Sequence, residues 1–209
     1  MKVAVVVPYA SFVEVNMCIA FEKAGIDSYI LKSNQQRFDY RGAGIKFEKY
    51  MKTIELPCLL DKVMQYAPFP IMPNILTAVE NLNVDIVNVS EHVSPATWLF
   101  SWYKKKWKII LTEHGSAWKS MRDKMYNFLA RKLLIPRIDG FVGIGLRTKY
   151  FLETLGARNV SVIPNPIDCD LFRNSLPYKN REDIVLYVGK VDTWRGLHFL
   201  IKAMKEVKK

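Results

Sequence analysis

With 209 residues, half of them apolar and a quarter charged, the chain has room for one well-cored domain and part of a second. That composition excludes a disordered, collagen-like or disulfide-stapled protein. The net charge of +11 is local, because residues 101–150 carry 12 Lys and Arg against 3 Asp and Glu, and such a face suits an anionic partner: a phosphate-bearing molecule, a lipid surface or nucleic acid.

The chain begins MKVAVVVPYA, where the apolar run stops at Pro8. It is too short for a signal peptide and reads as a first strand. Further apolar runs of strand character fall at 28–32, 85–89, 108–112, 140–144, 160–164 and 184–188. Most lack strict alternation, the pattern of strands buried on both faces of a parallel sheet. Between them Val13, Met17, Ala20, Phe21 and Ala24 form a helical stripe closed by Gly25, and Thr148, Phe151, Leu152 and Leu155 form another closed by Gly156. Residues 76–82 read as a short helix, while 35–73, broken by prolines, reads as irregular. Alternating strands and helices predict an α/β fold with a parallel sheet and helices on both faces. No run reaches the roughly 18 apolar residues of a membrane span, and Cys18, Cys58 and Cys169 have no CxxC spacing. A cytoplasmic protein with reduced, structural cysteines and no metal site is expected.

Open α/β sheets bind ligands beyond the carboxyl ends of their strands. That rule selects Pro8 and Tyr9 after the first strand, Glu91 and His92 after the third, and Glu113, His114 and Gly115 in "TEHGSAW". His114 is the expected cleft histidine, with Gly115 allowing close approach. In "IVLYVGKVDTWRG" a strand leads through Gly189 and Lys190 to Arg195 and Gly196 at a helix start, an arrangement that suits a phosphate. The stripe Leu197, Leu200, Ile201, Met204 and Val207 completes one strand and one helix. A lone strand cannot make a sheet, so the expected organisation is a first domain over 1–165, a linker over 166–182, and over 183–209 the start of a truncated second domain.

Assembled in this order, the segments resemble the group 1 (family 4) glycosyltransferases of the GT-B type. "VIPNPIDCDLF" resembles that family's V-I-P-N-G-V-D segment, and "IVLYVGKVDTWRGLHFLIKAM" its V-G-R-L-x-x-x-K-G strand, loop and helix. "ILTEHGSAW" is similar to the strand ending in H-G or H-D, and "IDGFVGIGLRTKYFLETLGARNV" to the strand, turn and helix ending in Leu-Gly. The resemblance implies two Rossmann-like domains facing across a cleft, a nucleotide-sugar donor held mainly by the second domain, a sugar or lipid-linked acceptor held mainly by the first, and transfer with retention. It places His114 against the transferred sugar and Gly189, Lys190, Arg195 and Gly196 at the donor diphosphate. Pro8, Tyr9, Glu113, Gly115 and Asn165 are expected to line the cleft. No cofactor beyond the donor is implied. The sequence departs from the family at "PYASFVEVNM", which lacks the Gly-Gly loop after the first strand, and the family's paired-glutamate segment would fall beyond Lys209. The chain alone is therefore expected to be inactive.

Two other readings share these residues. A dinucleotide oxidoreductase would need G-x-G-x-x-G after an early strand, which is absent. A non-catalytic basic module could bind nucleic acid, which is not expected, or an anionic membrane, for which "TWLFSWYKKKWK" at 97–108 is the expected peripheral contact.

Overall fold

The computed structural model describes residues 1–34, 52–59, 71–115, 121–167, 169, 184–189, 191 and 193–207. The chain divides into two compact units, Met1–Asp168 and Cys169–Lys209. The first unit is built on seven parallel strands: β1 (Lys2–Val6), β2 (Asp27–Ser33), β3 (Lys52–Leu56), β4 (Ile86–Ser90), β5 (Lys108–Glu113), β6 (Gly140–Gly143) and β7 (Ser161–Val162). Their order across the sheet is β3-β2-β1-β4-β5-β6-β7. Its helices are α1 (Phe12–Lys23), α2 (Ile75–Leu82), α3 (Pro95–Trp102), α4 (Met121–Leu129) and α5 (Leu146–Thr154), α4 continuing as a π turn over Ala130–Leu134 and a 3-10 turn over Ile135–Arg137. The second unit holds a 3-10 turn, Thr193–Arg195, and α6 (Leu197–Val207).

The order of the strands explains where the helices lie. From β1 to β2 the chain moves one way across the sheet, and from β4 through β7 it moves the other. Right-handed crossovers then put the connecting helices on opposite faces. Side chains alternate accordingly. Ala4, Val6, Val87, Val89, Ile109, Leu111 and Phe141 face the larger core, filled by Ile75 and Val79 of α2, Phe100 of α3, Ala130, Leu134 and Leu152. Val3, Val5 and Ile30 face α1, packing on Cys18, Met17 and Phe21. α1 starts where Ser11 caps it: the Ser11 hydroxyl accepts from Val13 N at 3.2 Å, and the Glu14 carboxylate accepts from Ser11 N at 2.6 Å.

Two expectations need correction. Residues 52–56, inside the stretch read as irregular, form β3, an edge strand paired in parallel with β2 from Tyr29↔Lys52 to Ser33↔Leu56. It is half polar, and its Lys52 and Glu55 bond to Asp27 and Lys32 on β2, which hid it from an apolar-run reading. Residues 184–188 form no strand; Leu186 is 77% and Val188 84% exposed. β-structure needs a neighbour to accept its ladder, and the described second unit offers none.

Cys18 is fully buried on the sheet-facing side of α1, and burial pushes its thiol up to about 11, with the Glu14 and Glu22 carboxylates adding to the effect. Cys169 is exposed. In the folded protein an aromatic disulfide reagent at about pH 8 should therefore label Cys169 at least about a hundredfold faster than Cys18. Peptide mapping of the labelled protein checks this, and Cys18 should react only when denaturant is present.

Candidate functional site

Among the described residues, the crossover helices after β4, β5 and β6 all pack on one side of the sheet, and the opposite face of those strands beside α1 carries no crossover helix of its own. There a groove of about 340 Å³ runs along the sheet. Its wall is set by strand parity: Ile86, Asn88 and Ser90 of β4, Ile110 and Thr112 of β5 with His114 just beyond, and Val142 and Ile144 at β6 all point into it. α1 supplies the facing wall through Val13, Glu14, Met17, Ala20 and Phe21. The groove is graded. At the amino ends of the strands it is apolar, around Met1, Ile26, Ile86 and Phe21, whereas at the carboxyl ends it collects Glu14, Ser90, Thr112, His114 and Asn165. Asn88 Nδ2 donates to Thr112 Oγ1 at 2.9 Å, holding two of these strands' polar side chains in register.

His114 and Asn165 thus meet in one groove, at the end of the sheet where the strand order reverses between β1 and β4. Gly115 follows at φ +100°, a left-handed conformation, and a β-carbon there would stand 3.2 Å from Thr148 Cγ2. Both facts require glycine for the chain to turn away directly after the histidine. Pro8 and Tyr9 are half-buried beyond β1 and stand outside the lining of this groove.

Glu113 is the correction among the site residues. One residue before His114, it points to the other face of the sheet and is 0% exposed. Its Oε2 accepts from His92 Nδ1 at 2.8 Å and from His92 N at 3.2 Å, and His92 Nε2 lies 3.2 Å from Asn127 Oδ1. Phe151 packs on the imidazole, with ring centroids 5.1 Å apart. Burial alone would raise the Glu113 carboxyl, but the side-chain hydrogen bonds with His92 and Glu91, with the charge and backbone N–H of His92, outweigh it and hold the group at about 2. Glu91, the third member, has φ +66° and is clamped by Thr97, whose hydroxyl donates to Glu91 O at 2.8 Å. Among the described residues, Glu91, His92 and Glu113 are the group whose ligand atoms, within 4.8 Å of one another, could hold a metal ion. The hydrogen bonds of His92 already compensate the Glu113 charge without one.

In the second unit Gly189 and Gly196 have φ +157° and +72°, and Arg195 is exposed at the end of the 3-10 turn. Phe199 N and Leu200 N donate to Gly196 O at 2.8 and 3.4 Å, so α6 begins where the sequence placed a helix start. Lys190 lies outside the described residues. In the stretch 97–108, Phe100 and Trp107 are core residues, and Trp98 donates its indole N–H to His92 O. Trp102 and Tyr103 are exposed, with Arg137 4.1 Å over the Trp102 ring. Lys104 pairs with Asp139 at 2.6 Å and Lys105 with Glu80 at 2.5 Å.

Sequence reasoning missed Glu14, Asn88, Ser90 and Thr112 as groove residues. The signal was present as parity: once His114 is assigned to a face, positions 110 and 112 share it, and in-register pairing of β4 with β5 adds 86, 88 and 90.

The sequence matches the profile of Glycosyltransferase Family 4 over residues 13–171. Among solved structures, HepE of Anabaena in complex with UDP has a TM-score of 0.59 at 10% identity, covering 84% of this chain and 47% of that one. HepE with UDP-glucose gives 0.59 at 11%, covering 84% and 46%. Sucrose-phosphate synthase from Thermosynechococcus elongatus gives 0.58 at 16%, covering 99% and 60%. The chain spans about half the length of HepE. At such identities the likeness is one of fold, a Rossmann-like α/β domain of the GT-B kind. No curated protein sequence matches the chain.

Because Glu113 titrates in the fold at about 2 instead of its ordinary 4.5, its contribution is complete above about pH 5 and is lost as the pH falls through 4.5 towards 2. The shift corresponds to on the order of 3 kcal/mol. Thermal melts between about pH 7 and pH 2 should show the wild type losing stability steeply in that window. Glu113→Gln should start less stable and show a shallower acid slope.

Proposed function

The chain belongs to glycosyltransferase family 4, and from that membership we propose that it forms the acceptor-side half of a transferase that moves a sugar from a nucleotide-sugar donor to an acceptor with retention. The observation that carries the proposal is the position of His114. It is half-buried at the carboxyl end of β5, beside the reversal of strand order, in a groove that collects Glu14, Ser90, Thr112 and Asn165 at that end. An imidazole there offers one hydrogen bond to a sugar hydroxyl without any covalent role.

The donor diphosphate needs cations and backbone N–H groups. The start of α1 is a poor place for it, since the Glu14 carboxylate already takes the Ser11 N–H and would repel a phosphate. We assign the diphosphate instead to the start of α6, with Lys190, Arg195 and the glycines Gly189 and Gly196. As the glycosidic bond to the donor breaks, negative charge builds on the departing diphosphate. Cations fixed at that point stabilise the transition state more than the ground state. No metal ion or further cofactor enters the proposal, and these 209 residues alone are proposed to bind donor without turning it over.

NMR titration of the 13C-labelled histidines, only three in number, tests this directly. Nucleotide sugars should move the His114 ring signals while the bare nucleoside diphosphate leaves them in place, and Arg195→Ala should weaken donor binding about tenfold. If no nucleotide sugar perturbs His114, the assignment fails. Oligonucleotide binding that nucleotide sugars do not compete would favour the basic-module reading instead.

A further inference from the structure

The outward face of α4 carries the chemistry of a membrane-surface helix. Met125 and Phe128, three residues apart on one helix, are 59% and 61% exposed. They are not isolated. Lys124, Arg131 and Lys132 are exposed on the same helix and its π continuation, so cations flank the two apolar groups along one stripe. Tyr150 of the adjoining α5 is 59% exposed. The inner face of the same segment is fixed: Ala130 and Leu134 are fully buried in the larger core. Over residues 121–132 the sequence has four Lys and Arg and one Asp.

We propose that this face of α4 docks on an anionic lipid surface, Met125 and Phe128 entering the headgroup boundary and Lys124, Arg131 and Lys132 meeting lipid phosphates. Charge complementarity selects the lipid, and the apolar pair separates it from nucleic acid, whose phosphates would give an exposed Met nothing to bury against. The cations of 104–105 differ, since Glu80 and Asp139 already neutralise them.

Co-sedimentation of the whole chain with phosphatidylcholine vesicles, with and without phosphatidylglycerol, is the test. Binding should require the anionic lipid and should weaken as salt is raised. Met125→Ser/Phe128→Ser should weaken it at least about tenfold, and Lys124→Gln and Lys132→Gln about fivefold each. All of these should keep the wild-type melting temperature, because the residues are exposed. Lys104→Gln/Lys105→Gln should bind within about twofold of wild type. Equal binding by wild type and the Met125/Phe128 double variant would overturn the proposal. So would a dimer in analytical ultracentrifugation that the double variant abolishes, since the face would then serve a second copy. Loss of nucleotide-sugar binding with vesicle binding intact would instead count against the transferase reading alone.

Discussion

The handedness of parallel crossovers governs this molecule. A right-handed connection between neighbouring parallel strands fixes which face its helix covers, so reversing the direction of travel between β1 and β4 reverses the covered face. Among the described residues, four helical segments then crowd one side of the sheet and α1 stands on the other. The groove beside α1 is a direct result: the loops after β1, β4 and β5 share one end because the strands are parallel, and the reversal sends the helices that follow β1 and β4 to opposite faces there.

Within that frame, a single peptide step separates structure from chemistry. Glu113 and His114 are consecutive, and the pleat sends them to opposite faces. Glu113 goes inward, where a lone carboxylate would be costly to bury, and it survives because His92 supplies both a ring nitrogen and a backbone N–H. His114 goes to the groove and keeps one side open. The buried network ties the end of β5 to the end of β4, reinforced by Glu91 N donating to Thr112 O at 2.9 Å and Ile144 N to Glu113 O at 3.3 Å. The histidine is therefore carried by backbone held on three adjacent strands, which limits how far it can drift from the groove.

What the sequence disclosed follows from how local each signal is. The central strands were legible because burial on both faces leaves nearly continuous apolar runs, and α1 and α5 because their stripes end at Gly25 and Gly156. Placing His114 at a strand end needed only the run 108–112 and the glycine after it. Glu113 was assigned to the cleft because strand ends alone do not state parity; a fully buried carboxylate becomes visible only when its partner, 21 residues earlier, is known. β3 was hidden for a related reason. Its polar residues are neutralised by β2, a neighbour that no window of local sequence contains.

The second unit shows the same division in a sharper form. α6 closes its own hydrogen bonds and forms over Leu197–Val207, with Leu197, Leu200 and Met204 half-buried along the expected stripe. Residues 184–188, richer in β-branched and aromatic residues than most of the strands that do form, stay outside any ladder. Composition sets what a segment could become, but a strand exists only when another strand accepts its N–H groups. The start of α6 is ordered from within, through the bonds of Phe199 N and Leu200 N to Gly196 O. Arg195, one residue before Gly196, is therefore set by the helix start, whose N–H groups point the same way whatever lies beside residues 184–188.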